Sequence, residues 1–376
     1  MRSVLTDDHE RFRDQVRRFL SENVVPFHSQ WEKAGVVPRD VWRKAGECGL
    51  LCVTMPEEFG GAAADFGFAA VVIEELARVN ASGLGFTLHS EVAAPYLLAY
   101  GQEVPKRRWL TQMARGEMIG AIAMTEPGIG SDLKAIATTA RREGGYYVID
   151  GQKTFITNGQ NCGIVIVVVK TNPEAGRNGI SLICVEEGTA GFIKGRNLEK
   201  IGLHAQDTSE LFFDNVRVPV SHRLGNQDEG FRYLMHQLSQ ERLIVALRAA
   251  ASMEAMLEAT VSYTRERKAF GKTLFDLQNT RFKLADARAH SEMFRVFVDH
   301  CLAQHIRGDL TPERAAMAKL VGSEMQNRLL DDFLQLHGGY GYMSEFVIGR
   351  AWVDARVMRI YAGSSEIMKE IIARQL

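Results

Sequence analysis

The feature that most constrains the fold of this chain is a double change in the period of its apolar residues. From Asp7 to about Arg115 they recur every three to four positions, as on helices. From about Gly120 they fall into short strand-like runs, and from about Gly230 the helical period returns in long pieces. In the first part, Phe12, Val16, Phe19 and Leu20 mark one helix face, with Asp7 and Glu10 placed as a capping pair. Segments 68–79 and 89–101 read as further helices, the second stopped by Gly101, and Pro56, Gly60 and Gly61 punctuate a loop. In the middle part, "YYVIDGQKTFIT" is expected to be a hairpin turning at Asp150-Gly151. The runs 164–170, 180–186, 191–195 and 210–219 follow without intervening helices, which suggests an antiparallel sandwich or barrel of about 100 residues. The pattern therefore predicts an α+β chain of three domains. These are a helical one over 1–117, a β-barrel or sandwich over 118–226, and a four-helix bundle over 227–376, in which 279–306 is one long helix.

Bulk properties exclude several classes. A formal net charge of −1 over 376 residues gives no basic surface for nucleic acid. No run approaches the roughly 18 apolar residues of a membrane span, and "MRSVLTDDHERF" lacks the apolar run of a leader, so a cytoplasmic location is expected. The five cysteines are scattered; Cys48 and Cys52 are spaced C-x3-C, which is no redox or zinc motif. All five are expected to be buried thiols in a reducing compartment, and no metal site is expected, since His300 and His305 face different sides of their helix.

Four segments could carry chemistry. "AIAMTEPGIGSD" (121–132) runs a strand into a tight turn with free backbone N–H groups, suited to a phosphate or a polar heteroaromatic ring. It does not satisfy G-x-G-x-x-G, because Leu133 takes the third glycine position. Read alone, a plain strand turn is slightly the better reading of it than a ligand loop. "RERKAFGKTLFDLQ" (265–278) and "LQLHGGYGYMSE" (334–345) break helices with basic, aromatic and glycine residues; a solvated helix end is the alternative for the first. "QLSQERLIVALRAAA" (237–251) sets Glu241 and Arg242 at the head of a helix that continues with small residues such as Ala246, Ala249 and Ala250. A carboxylate against an apolar wall has its pKa raised toward that of a working base, whereas a surface Glu–Arg pair would merely suit the helix dipole.

Together these segments, with "FITNG", "RKAFGK", "LHGGYGY" and "YAGSSEIM", resemble the acyl-CoA dehydrogenase family over essentially the whole chain. "GLGFTLHSE", "HAQDTSELFF" and "QERLIVA" most resemble its long-chain subgroup. The resemblance implies FAD as cofactor, an acyl-CoA thioester as substrate and electron-transfer flavoprotein as electron acceptor. It also implies a homo-oligomer, a tetramer built as a dimer of dimers. Met124, Thr125, Phe155, Ile156 and Thr157 would face the flavin ring, with Phe155 where relatives often carry an indole. Gly130 and Ser131 would approach cofactor and thioester, while Arg267, Phe270, Gln278, Gln335 and Gly339 would hold the pyrophosphate and adenosine of a neighbouring subunit's FAD. Gly363, Ser364 and Glu366 would lie along the flavin; Ser131, Arg242, Tyr361 and Gly363 would touch the substrate.

Many family members carry their catalytic base at the position of Ala362, which here has no acid; the long-chain and isovaleryl branches place it at the position of Glu241. The resemblance thus implies that Glu241 takes the α-proton, that the Ala362 N–H and a ribityl hydroxyl hold the thioester carbonyl, and that flavin N5 receives the β-hydride. A catalytically silent acyl-CoA-binding relative and a flavin monooxygenase of the same fold are the alternatives. Acyl length and branching are not legible.

Overall fold

The computed structural model describes residues 2–376. The first part holds α1 (Asp7–Asn23), α2 (His28–Ala34), α3 (Arg39–Glu47), α4 (Phe66–Arg78), α5 (Phe86–Leu88), α6 (Ala94–Tyr100) and α7 (Glu103–Ala114). One π-helical turn, His89–Ala93, joins α5 to α6. The expected capping pair of α1 is corrected: Thr6 is the N-cap, its N–H donating to His9 Nδ1 at 3.0 Å, while Asp7 and Glu10 only line the first turn. Imidazole serves here as the acceptor that a Glu more often supplies.

The middle part is one eight-stranded sheet. It comprises β1 (Gly120–Ala123), β2 (Thr139–Glu143), β3 (Tyr146–Thr157), β4 (Ile164–Lys170), β5 (Ile180–Glu186), β6 (Phe192–Asn197), β7 (Thr208–Pro219) and β8 (Arg223–Leu224). The order is β6-β7-β3-β2-β4-β5-β8, with β1 beside β4. It is mixed rather than purely antiparallel, since β1 and β2 both pair with β4 in parallel.

The expected turn at Asp150-Gly151 is also corrected. β3 runs straight through it, and the reversal from β2 falls at Gly144 and Gly145. At Gly151 the chain passes so close to Thr138 that a Cβ would sit 2.6 Å from its Oγ1, so this glycine answers a close approach and not a hairpin.

Strands β4 and β5 are buried on both faces. Ile164, Ile166 and Val168 face the core shared with the helices, and Val165, Val167 and Val169 face the interior of the sheet domain. Two-sided burial explains why "IVIVVVK" shows no polar alternation.

After β8 comes α8 (Gly230–Glu266), then a short hairpin of β9 (Lys268–Ala269) and β10 (Lys272–Thr273). Helices α9 (Gln278–Arg307), α10 (Pro312–His337), α11 (Val347–Ala355) and α12 (Ser365–Ala373) complete the bundle. Ala249 and Gly322 let α8 and α10 approach closely; a Cβ on Gly322 would lie 3.4 Å from that of Ala249. The placement of Glu241 and Arg242 at a helix head is corrected too. With α8 opening at Gly230, they lie about three turns inside it.

Cys48 is exposed, contrary to expectation; the other four cysteines are buried, and all five are free. Among the described residues no helix is long and apolar enough to cross a membrane.

A buried ion cluster ties the first part to the bundle. Glu74 of α4 accepts from Arg2 at 2.6 Å, Arg295 of α9 at 2.7 Å and Arg13 of α1 at 3.2 Å. Burial disfavours its charge, but the surrounding arginines hold its pKa below the ordinary value. Glu74→Ala removes the one carboxylate shared by all three guanidinium groups, leaving them to Asp299, Glu75 and Glu254, and is expected to cost about 3 kcal/mol, read from denaturant unfolding. Asp8→Ala, which breaks an exposed pair with Arg11, should leave the midpoint unmoved.

Candidate active site

Glu241 lies on the face of α8 turned toward α6. Its Oε1 accepts from the Tyr96 hydroxyl at 3.3 Å, and it has no ion pair within the chain among the described residues. Dense packing desolvates it and pushes its pKa up to about 7, against the smaller opposing pulls of Tyr96 and Arg242. Arg242 is buried and its Nε finds no partner among the described residues, so a guanidinium also stands ready for an anionic group.

The segment between α11 and α12 is held from α10. Lys319, fully buried, donates to the Gly363 carbonyl at 2.6 Å, and Glu324 accepts from Arg359 at 2.8 Å and Ser365 at 2.6 Å. Ala362 and Gly363 take φ of +51° and +88°, and a Cβ on Gly363 would meet the Met368 methyl at 2.6 Å. Only glycine is at ease in that region; alanine tolerates it at modest cost. Ser364 then caps α12. Lys319 is pushed down to about 8 by burial, and next by the charge of Arg242. Tyr361 and Ala362 pack on the same core as Ala246.

A second cluster gathers at the sheet edge. The Thr125 carbonyl accepts from Thr154 N–H at 2.9 Å, and the Met124 carbonyl from Lys153 Nζ at 3.1 Å. These bonds bring 124–125 beside Phe155, Ile156 and Thr157. Lys153 is buried against Glu126, 2.8 Å away, whose carboxylate also takes the Ala137 and Thr138 N–H groups. Between Lys153 and Ile156 the pairing of β3 with β7 slips by one residue, and Phe155 adopts φ +59°. This bulge turns the Phe155 ring outward, leaving it 67% exposed between two buried neighbours. Gly130 and Ser131 follow on an open loop where a Cβ at Gly130 would touch nothing.

Of the expected residues Arg267, Phe270, Gln278, Gln335 and Gly339, Arg267 is brought beside the 339–340 turn at the far end of α8 from Glu241. Arg267 stacks 5.3 Å over Tyr340, and Phe270 is 93% exposed on the β9–β10 hairpin. The 25 residues from Glu241 to Glu266 rise about 38 Å along α8, so residues at that end cannot share a ligand's reactive end with Glu241 of the same chain.

Sequence reasoning missed Tyr96, Gln240, Lys319 and the Lys153–Glu126 pair. A signal existed for Lys319, a lone basic residue on an apolar stripe with Ala315, Ala316, Gly322 and Ser323. The others depend on contacts between distant segments. Among the described residues no cluster of histidine, cysteine and acidic side chains could hold a metal ion.

An exposed aromatic ring at a backbone-rich strand edge suits a flat heteroaromatic cofactor, and a desolvated carboxylate suits proton abstraction. Residues 6–117, 121–216 and 228–376 match the N-terminal, middle and C-terminal domains of acyl-CoA dehydrogenase. The chain is 50% identical over its whole length to pig (Sus scrofa) mitochondrial long-chain specific acyl-CoA dehydrogenase, covering 88% of that protein. It superimposes on the crystal structure of acyl-CoA dehydrogenase from Geobacillus kaustophilus with a TM-score of 0.98 at 46% identity, covering 100% of this chain and 99% of that one. A glutaryl-coenzyme A dehydrogenase–glutaryl-CoA complex gives a TM-score of 0.93 at 33% identity, with 98% and 95% covered. The fold is that of FAD-dependent oxidoreductases acting on CH–CH bonds. The chain belongs to the acyl-CoA dehydrogenase family.

The raised pKa of Glu241 has a stability consequence. Its ordinary value is 4.5 and its folded value about 7, so folding opposes ionisation. The penalty is absent below the unfolded pKa and complete above the folded one. Glu241→Gln should therefore melt progressively higher than the parent protein as pH rises from 5 to 8, in parallel thermal scans.

Proposed function

We propose that this chain oxidises an acyl-CoA thioester to the trans-2-enoyl-CoA, with Glu241 as the base that removes the α-proton. The observation that carries the reading is the Glu241 carboxylate: desolvated, free of any bonded cation, and poised near neutral pH. The α-proton of a thioester is too weakly acidic for a carboxylate until its carbonyl oxygen is hydrogen-bonded. The Ala362 N–H points from a left-handed turn and has no acceptor within the chain among the described residues, which supports its role as that donor. A well-placed donor of this kind lowers the barrier by about 3–4 kcal/mol. Arg242 offers its guanidinium to the CoA portion, with Ser131, Tyr361 and Gly363 along the thioester.

FAD, when bound, accepts the β-hydride and passes the electrons on to electron-transfer flavoprotein. Met124, Thr125, Gly130, Ser131, Phe155, Ile156 and Thr157 are the residues that hold its ring, with Gly363, Ser364 and Glu366 alongside. The outward Phe155 ring and the open Gly130 loop fit a flat group there. Arg267, Phe270, Gln278, Gln335 and Gly339 serve the FAD of a neighbouring subunit. Their distance from Glu241 and the exposure of Phe270 support this arrangement and the homotetramer it implies.

Anaerobic addition of acyl-CoA to the yellow protein tests the reading, with straight chains of increasing length offered first and branched and steroid side-chain thioesters after them. The flavin should bleach with a subset of these substrates; a flavin that stays oxidised with all of them overturns the proposal. Glu241→Gln should bind FAD and acyl-CoA yet fail to bleach, and unchanged reduction would remove Glu241 from the role of base. Because the carboxyl must be ionised to act, the reduction rate should fall as pH drops through about 7.

A further inference from the structure

The base sits on a long helix, and its side chain has three rotatable bonds. Something must fix it, since an error of 1 Å at a reacting group can cost 100-fold in rate. Two contacts from the α5–α6 segment meet adjacent residues of α8. Tyr96 Oη donates to Glu241 at 3.3 Å, and Gln240 Nε2 donates to the Glu91 carbonyl at 2.6 Å.

The second contact exists because of Pro95. Proline has no N–H, so the carbonyl four residues earlier, that of Glu91, is left without its α-helical partner. The segment responds with the π turn His89–Ala93. One extra residue in a turn rotates everything beyond it by about 100° relative to a regular helix, and this sets the direction in which Tyr96 points. The Gln240 amide cannot flip, because its Oε1 would then face the Glu91 carbonyl oxygen, acceptor against acceptor. Its Oε1 lies 3.1 Å from His305 Nε2; burial pushes His305 down to about 4, so the ring is neutral, and the acceptor opposite Nε2 selects the tautomer that donates from it.

We propose that Tyr96 and Gln240 are positioning residues for the base, a two-point clamp in which the Pro95-induced π turn sets the register of α8 and the tyrosine hydroxyl holds the Glu241 carboxylate. The inference rests on Glu241 being the base. The titratable and charged groups around that carboxylate are Tyr96 on α6, Glu91 on the π turn, Arg242 on its own helix and, behind Arg242, Lys319 on α10. Of these, Tyr96 is the one that hydrogen-bonds to it.

Tyr96→Phe in the FAD-loaded protein tests the clamp, with Gln240→Met as an independent second variant. In Tyr96→Phe, kcat for flavin reduction should fall roughly 10- to 100-fold with KM within about twofold. The acid limb of its pH profile should move to higher pH, because the hydroxyl favours the ionised carboxylate. Gln240→Met should lower kcat without moving that limb. An infrared titration of the Glu241 carboxyl, assigned by difference against Glu241→Gln, should show the same upward shift in Tyr96→Phe before any substrate is added. An unmoved carboxyl titration overturns the clamp, as does a Tyr96→Phe variant with the parent kcat. If the parent protein fails to bleach, the proposed reaction falls, while the carboxyl titration still decides whether Tyr96 holds Glu241.

Discussion

The two-sided burial of β4 and β5 is the constraint on which the rest of the structure depends. One face of each strand completes the core of the sheet domain, and the other is a wall of the helical core. The sheet therefore cannot shift against the helices without exposing both cores. A buried histidine fixes the junction further. His89 Nδ1 accepts the Gly120 N–H at 2.9 Å, and Nε2 lies 3.1 Å from the Met113 carbonyl, which joins the end of α7 to the start of β1. Burial pushes this ring down to about 4, so it stays neutral, with one nitrogen to donate and one to accept. The same residue opens the π turn whose Glu91 carbonyl accepts from Gln240, so the interface that docks the sheet also touches the helix that carries Glu241.

Much of this was legible from period alone, because helices and strands carry different spacings and the changes near Gly120 and Gly230 are abrupt. The errors have local physical causes. Asp150-Gly151 has the composition of a hairpin turn, but glycine is equally required where Thr138 crowds the backbone, and sequence does not separate the two uses. Glu241 and Arg242 looked like a helix head because charged and polar residues precede them. The amphipathic start of α8 from Gly230 hid its true length. Thr6 and His9 were overlooked as a cap because carboxylates stood close by. Tyr96, Gln240 and Lys319 act across about 145, 149 and 44 residues of chain, and no local pattern could pair them with their partners.

The turn at Ala362 shows why a chain of this family can leave that position without an acid. With φ at +51°, followed by a glycine at +88°, the backbone is bent so that an N–H is free to face a ligand. That service needs no side chain, and alanine is the smallest residue that still restricts the turn. Lys319 and Glu324 of α10 hold the bend from both ends, so its shape does not depend on residue 362. In the proposed reaction, proton transfer would then fall to another element, the α8 helix that carries Glu241. The oxyanion donor and the proton acceptor would thus sit on separate elements, each packed against α10.

A common device runs through four desolvated groups. Glu91 and Glu241 are pushed up to about 8 and 7, and Lys153 and Lys319 down to about 8, with desolvation the leading cause in each. At neutral pH the two lysines keep most of their charge and Glu91 most of its proton, so charge developing on a bound thioester would meet partly desolvated cations already in place. The cost is borne by the fold: each such group is less favourable buried than in water, and the ion cluster around Glu74 and the two-sided burial of β4 and β5 offset it elsewhere. Replacing these groups with neutral isosteres therefore trades function for stability, and the gain should be largest at the pH where the lost charge was most costly.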